Sequence, residues 1–146
     1  RAQGQYVFDE KGNRYLDAIG GIVCISAGHN HPKIKKKLHE MLENDEIQHT
    51  SLLYLNNHVV EAGAALINEA PAGLDRVSFT NSGSEANELA IMAARNATGE
   101  NTVINLRHSY HGGTSATLAS CGHHTWRFKA QPVTGTTSAV EPNCYR

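Results

Sequence analysis

One ten-residue stretch constrains this chain more than any other: Phe79-Thr80-Asn81-Ser82-Gly83-Ser84-Glu85-Ala86-Asn87-Glu88. Arg76 to Thr80 reads as a short strand and Glu85 to Ala97 as a helix, so a strand runs through a small-residue turn directly into a helix. Ser82 and Glu85 have the S-x-x-E spacing of a capping box, which makes Ser82 the N-cap and turns the Glu85 carboxylate back toward it. The backbone N–H groups of Gly83 and Ser84 then stand at the open helix end without an intrahelical acceptor, where the macrodipole is positive. Gly83 has no Cβ to hold a ligand off the backbone, and such an end accepts anions. Each charge-assisted hydrogen bond to a phosphate contributes about 1.5–3 kcal/mol net. Ala86, Ala90, Ala93 and Ala97 form a small-residue side that permits close packing on a sheet. Taken alone, the stretch also fits an ordinary capped helix that binds nothing, because capping boxes are common.

A second element bears on that choice. After the next expected strand, Thr102 to Leu106, comes His108-Ser109-Tyr110-His111-Gly112-Gly113. In a parallel layered sheet, loops at the carboxyl ends of neighbouring strands converge on one crevice. A tyrosine ring there stacks on a planar heterocycle, while the bland reading is a core tyrosine with a polar tip. A phosphate anchor and an aromatic wall together point to a phosphorylated, flat, aromatic cofactor. Neither G-x-G-x-x-G nor G-x-x-x-x-G-K-[ST] occurs, so dinucleotide and nucleoside-triphosphate loops have no support. Ser82-Gly83-Ser84-Glu85-Ala86 is not a G-x-S-x-G nucleophile elbow either.

The rest of the chain fits an α/β layered fold with helices over a mostly parallel sheet. Gln5 to Asp17 reads as a hairpin turning at Lys11-Gly12-Asn13. Gly20 to Ile25 is a short apolar run, expected as buried loop or strand. Pro32 opens an amphipathic helix through Glu43, with Ile34, Leu38, Met41 and Leu42 on one face. Lys33, Lys35, Lys36 and Lys37 read as a solvated helix face, since no aromatics interleave them. Asn57 to Ala70 is a further helix with Val59, Val60, Ala64 and Ile67 as its stripe, Thr114 to Ser120 begins another, and Cys121 to Arg146 reads as loop. A chain of 146 residues suffices for one compact domain with its own core. Thirteen basic against fourteen acidic residues exclude a broad nucleic-acid footprint. No apolar run is long enough for a membrane span, and no signal peptide is visible. Cys24, Cys121 and Cys144 form neither a disulfide framework nor a zinc module and suit a reducing compartment. The nine histidines read as loop or cap imidazoles rather than metal ligands, so no metal is expected. The chain opens at Arg1 without Met and stops at Arg146 after an irregular stretch, which reads as a piece of something longer.

Four segments in order resemble the class III (ω-type) aminotransferases, pyridoxal 5′-phosphate enzymes on the fold-type I scaffold. They are Gly4-Gln5-Tyr6-Val7-Phe8-Asp9 with Tyr15-Leu16-Asp17; Gly20-Gly21-Ile22 with Gly28-His29-Asn30-His31-Pro32; Asn81 to Asn87; and Tyr110-His111-Gly112. His49-Thr50-Ser51, Asn87-Glu88-Leu89-Ala90 and Pro142-Asn143-Cys144-Tyr145-Arg146 resemble the alanine–glyoxylate aminotransferase 2-like branch in particular. The resemblance implies that Ser82, Gly83 and Ser84 bind the cofactor phosphate, with the Ser84 hydroxyl as a further donor. It implies that Tyr110 stacks on the pyridine ring, that His111 and Gly112 shape that wall, and that Ile22, Val23 and Tyr54 approach the substrate. It further implies a homodimer sharing its active sites, located in the cytoplasm or the mitochondrion.

On this resemblance, residues 1–55 form an N-terminal segment and 56–146 the first part of a large cofactor-binding domain, truncated. The family's Schiff-base lysine and ring-nitrogen aspartate lie downstream of Tyr110-His111-Gly112, and none of Lys11, Lys33, Lys35, Lys36, Lys37 or Lys129 sits on a matching element. No catalytic residue is therefore expected within the segment, and the segment alone is expected to be inactive. The parent would move an amino group from alanine or an ω-amino acid to an oxo-acid such as glyoxylate or pyruvate. Two alternatives stand beside it: a phospho-lyase of an amino-alcohol phosphate, and a non-catalytic scaffold or dimerisation piece.

Overall fold

The computed structural model describes residues 1–50, 53–126 and 135–145. Ser51, Lys129 and Arg146, named above, lie outside the described residues. The chain divides into two compact units, Arg1–Ala62 and Gly63–Arg146.

In the first unit, β1 (Ala2–Gln3), β2 (Tyr6–Phe8) and β3 (Arg14–Leu16) form an antiparallel sheet in that order, with Tyr6 opposite Leu16 and Phe8 opposite Arg14. The hairpin expected from Gln5 to Asp17 is present. Its turn is tied by the Asp9 carboxylate, which accepts from the Asn13 main-chain N–H at 2.8 Å, the Asn13 amide at 2.9 Å and the Tyr15 hydroxyl at 3.1 Å. These bonds, the Asn13 side chain first, hold the Asp9 carboxyl below its usual range.

The next element corrects an expectation. Gly20–Val23 (α1) is neither buried nor a strand. It is one left-handed turn, with φ near +60° at Gly20, Gly21, Ile22 and Val23. Ile22 is 81% and Val23 80% exposed. Branched apolar residues read as strand by propensity, but the two glycines enter the left-handed region freely and carry the following pair with them. For Ile22 and Val23 that conformation costs roughly 1–2 kcal/mol each. Asp17 anchors the start of the turn: its Oδ1 accepts from the N–H of Ile19 at 3.2 Å and of Gly20 at 2.8 Å, and its Oδ2 lies 2.7 Å from His29 Nε2.

The His29 bond and then the Gly20 and Ile19 amides lower the Asp17 carboxyl below its ordinary value of 3.8. A depressed folded-state pKa gives stability that is complete above the unfolded value and is lost as pH falls through the folded one. Lowering the pH from 7 should therefore leave this contribution intact until below 3.8, then remove it. Urea unfolding midpoints against pH check this; Asp17→Asn should shallow the acid limb, and an unchanged limb would contradict the assignment.

α2 (Pro32–Glu43) starts with Pro32 in its first turn, as the sequence suggests, and α3 (Asn57–Glu69) runs across the division between the units. Before α3, the Glu46 carboxylate meets His58 Nε2 at 2.5 Å, the main reason its pKa is lowered.

The second unit contains α4 (Gly83–Thr98), β4 (Val103–Leu106), α5 (Ser115–Ala119), a 3₁₀ turn at His124–Trp126, and β5 (Thr136–Ala139). β4 and β5 pair in parallel, Val103 with Thr136 through Leu106 with Ala139, and α5 lies on the crossover between them. The α/β architecture with parallel pairing is thus present. Two details differ from expectation. The tail is not all loop, because Thr136-Thr137-Ser138-Ala139 forms β5 despite lacking an apolar run. Residues 76–80 carry no strand pairing: among the described residues no neighbour takes up their ladder, and Phe79 is 53% exposed.

The core is also smaller than the chain length suggests. Among the described residues its buried apolar members are Ala116, Ala119 and Cys121, joined by buried Thr117, Ser120 and Asn105. They lie on α5, on the two residues that follow it, and at Asn105 of β4, whose amide donates to the Ser120 carbonyl. The apolar stripes read in α2 and α3 stay largely uncovered: Ile34, Leu38, Leu42 and Val60 are all more than half exposed.

Candidate functional site

The start of α4 is built as the capping box dictates. Ser82 is the N-cap, in extended conformation, and its Oγ accepts the Glu85 N–H at 3.2 Å. The Glu85 carboxylate reaches one residue further back than the usual box, accepting the Asn81 N–H at 2.7 Å. That bond engages the carboxylate. Among the described residues, the N–H groups of Gly83 and Ser84 have no acceptor. A Cβ built on Gly83 meets nothing within 4 Å, so the approach to these amides is open.

The Tyr110 loop is fastened to the first two turns of the same helix. Gly113 N–H donates to Ser84 Oγ at 3.1 Å, Asn87 Nδ2 donates to the His111 carbonyl at 2.8 Å, and Thr114 Oγ1 donates to Glu88 Oε2. Ser84, Asn87 and Glu88 are spaced i, i+3, i+4, one face of α4. From the other side, the His111 N–H donates to Cys121 Sγ at 3.3 Å, and the single hydrogen of that thiol has two carbonyl acceptors in reach, Gly112 O at 3.5 Å and Thr117 O at 3.3 Å. Gly112 makes a close approach of the loop to α4. With φ +128°, it lies so close to Ser84 that an added Cβ would stand 2.8 Å from the Ser84 Cα.

The structure therefore brings Ser82, Gly83, Ser84, His111 and Gly112 into one hydrogen-bonded cluster in the second unit. Tyr110, 57% exposed, extends from the same loop with its ring tilted 52° against Trp126 at a centroid distance of 5.1 Å. Ile22, Val23 and Tyr54 belong to the first unit. Tyr54 is 56% exposed and meets the His49 ring edge-on at 6.4 Å. Sequence reasoning assigned no site role to Thr114, Cys121 or Trp126 and missed the fastening to Asn87 and Glu88. The helical spacing from Ser84 was the available signal for those two; the contact of Cys121 with the loop had none. Among the described residues no three His, Cys, Asp or Glu side chains gather as a metal site. No helix among them is long and apolar enough to cross a membrane.

The aminotransferase class-III family profile matches residues 1–146. The chain belongs to the class-III aminotransferases. It is 39% identical over 142 residues to the mitochondrial alanine–glyoxylate aminotransferase 2 homolog 2 of Arabidopsis thaliana, covering 97% of this chain and 29% of that protein. The structure of taurine:2-oxoglutarate aminotransferase from Bifidobacterium kashiwanohense, in complex with PLP and glutamate, matches at TM-score 0.88 and 29% identity over 99% of this chain and 33% of that one. An Arthrobacter phospholyase in complex with phosphoethanolamine matches at TM-score 0.80 and 29% identity, over 97% and 32%. The chain thus spans about a third of the length of the proteins it matches. Its fold is that of part of a fold-type I transaminase, α/β with a partial sheet.

Proposed function

We propose that the full-length protein is a pyridoxal-phosphate-dependent transaminase, and that this chain supplies its phosphate anchor and ring wall. The observation that carries the reading is the pair of amides at Gly83 and Ser84, without an acceptor among the described residues, on a helix end stitched to the Tyr110 loop by three hydrogen bonds. The residues fit the cofactor: two N–H donors without an acceptor among the described residues suit a phosphate, the Glu85 carboxylate is engaged by the Asn81 N–H and that of Glu88 by Thr114, and Gly83 leaves the backbone open.

In this reading Gly83 and Ser84 bind the phosphate through their amides. The Ser84 oxygen is engaged by Gly113, which leaves its hydrogen to donate. Tyr110 stacks on the ring, and His111 and Gly112 set the height of that wall. When bound, the cofactor supplies an electron sink for the carbon bearing the amino group. Ile22, Val23 and Tyr54 meet the substrate, an amino acid followed by an oxo-acid such as glyoxylate or pyruvate. The proton-shuttling lysine comes from outside residues 1–146, so this segment alone does not turn over. Residues 1–55 serve as the N-terminal segment and 56–146 as the first part of the cofactor-binding domain. A homodimer with shared active sites, in the mitochondrion or cytoplasm, completes the proposal.

Full-length protein incubated with pyridoxal phosphate should give an absorbance band near the visible edge that an amino donor shifts; no band overturns the reading. The structural likeness to a phospholyase favours one second reading, elimination of phosphate from an amino-alcohol phosphate. Phosphoethanolamine tests it directly, because release of inorganic phosphate without amino transfer would select it. Tyr110→Ala should weaken cofactor retention by about 1–3 kcal/mol, the range for stacking of flat rings on aromatics. Equilibrium dialysis of the cofactor measures it, and a loss as large as that from removing the phosphate anchor would contradict the assigned roles.

A further inference from the structure

Asp17 lies outside the phosphate turn and its loop, yet it is among the most heavily bonded side chains of the first unit. Its Oδ1 accepts two main-chain N–H groups, from Ile19 at 3.2 Å and Gly20 at 2.8 Å. Its Oδ2 is 2.7 Å from His29 Nε2. Both partners are tied to the hairpin: the Asp17 N–H donates to Gln5 O at 2.9 Å, and His29 exchanges main-chain hydrogen bonds with Gly4 at 2.8 and 2.9 Å. The carboxylate is therefore a fixed post.

What it anchors is the left-handed turn Gly20–Val23. Two of the four residues are branched and would leave that backbone region if nothing held them. Side-chain packing does not hold them, because Ile22 and Val23 are about four-fifths exposed. Main-chain bonds close the turn, Val23 N–H to Ile19 O at 3.0 Å and Ile25 N–H to Gly20 O at 2.9 Å, and Asp17 grips the two amides on which it starts. A strained conformation that buries nothing of its own persists only where its surroundings over-determine it, and such conformations cluster at ligand contacts.

We propose that Asp17 is a positioning residue: its carboxylate, braced by His29, holds the left-handed turn Gly20–Val23 so that Ile22 and Val23 stand at fixed angles toward the substrate. The part that concerns substrate rests on the transaminase reading; the hold on the turn does not.

The test uses the full-length protein loaded with pyridoxal phosphate. Amide hydrogen exchange of residues 19–24 should run about tenfold faster or more in Asp17→Ala, with the β1–β3 ladder unchanged. Asp17→Asn keeps an oxygen for both amides and should stay within about threefold of the native rate. The KM for the amino donor should rise about tenfold in Asp17→Ala, with kcat and cofactor retention little changed, and Asp17→Asn should restore it. Should Asp17→Ala fail to fold, His29→Ala removes the brace alone and should still speed exchange at residues 19–24. Unchanged exchange in these variants overturns the hold, even in an active enzyme. Faster exchange with an unmoved KM overturns the positioning role and leaves a plain structural cap. A protein that shows no cofactor band refutes the transaminase reading, and exchange then tests the hold by itself.

Discussion

Gly112→Ala is expected to unseat the Tyr110 loop from α4. An alanine Cβ at this position would stand 2.4 Å from Ser84 Oγ and 2.8 Å from both Cα and Cβ of Ser84. The obstruction includes backbone, so no rotamer change relieves it. Gly112 also has φ +128°, a region that L side chains rarely adopt. Overpacking of this kind costs about 1–3 kcal/mol and a disfavoured backbone angle a similar amount, so a combined loss of about 2–6 kcal/mol is expected. The loop and helix must separate, and with them go the Gly113–Ser84 and Asn87–His111 bonds. Urea unfolding of the full-length protein and its retention of pyridoxal phosphate should both fall. Gly113→Ala provides the control. Its Cβ meets nothing within 4 Å and its N–H to Ser84 survives, so it should change stability by less than about 1 kcal/mol. Equal damage from the two substitutions would show that the close approach at Gly112 is not what holds the loop.

Local chemistry was legible in the sequence and long-range pairing was not. The S-x-x-E spacing set the start of α4 at Ser82, and Pro32 set that of α2, because caps and first-turn prolines act within one turn. β5 was not legible, since Thr136 to Ala139 is polar and becomes a strand only by pairing with Val103 to Leu106, more than thirty residues earlier. The same reasoning inverts at residues 76–80, whose strand-like sequence lacks a ladder among the described residues. The turn at Gly20–Val23 escaped for a third reason. Propensity assigns Ile and Val to strands, and what overrules it is a local set of hydrogen bonds, the Asp17 carboxylate accepting the Ile19 and Gly20 amides and main-chain bonds closing the turn. At the candidate site, Gly83 and Ser84 were readable from the cap. Their connection to the Tyr110 loop was only a topological expectation until the hydrogen bonds that Ser84 and Glu88 accept and Asn87 donates gave it substance.

Gly83→Asp separates anion binding from fold stability more sharply than any other change, because it should move the two in opposite directions. The position is the first residue of α4, where a carboxylate interacts favourably with the helix dipole by about 0.3–1 kcal/mol. The new Cβ has open space around it, so the cofactor-free protein should unfold at an unchanged or slightly higher urea concentration. A phosphate at the Gly83 and Ser84 amides would meet that carboxylate at close range. Two like unit charges 4 Å apart near a protein surface repel by about 4 kcal/mol, and a phosphate carries more than one. Loss of one charge-assisted amide bond adds about 1.5–3 kcal/mol. Cofactor affinity should therefore fall by at least about a thousandfold, past the point where the protein retains its visible absorbance on desalting. Gly83→Ala, which adds bulk without charge, should fall between this variant and the native protein. Native affinity in Gly83→Asp would mean that the phosphate binds elsewhere, and a loss of affinity matched by a loss of apo-protein stability would mean that the substitution had damaged the helix rather than the anion site.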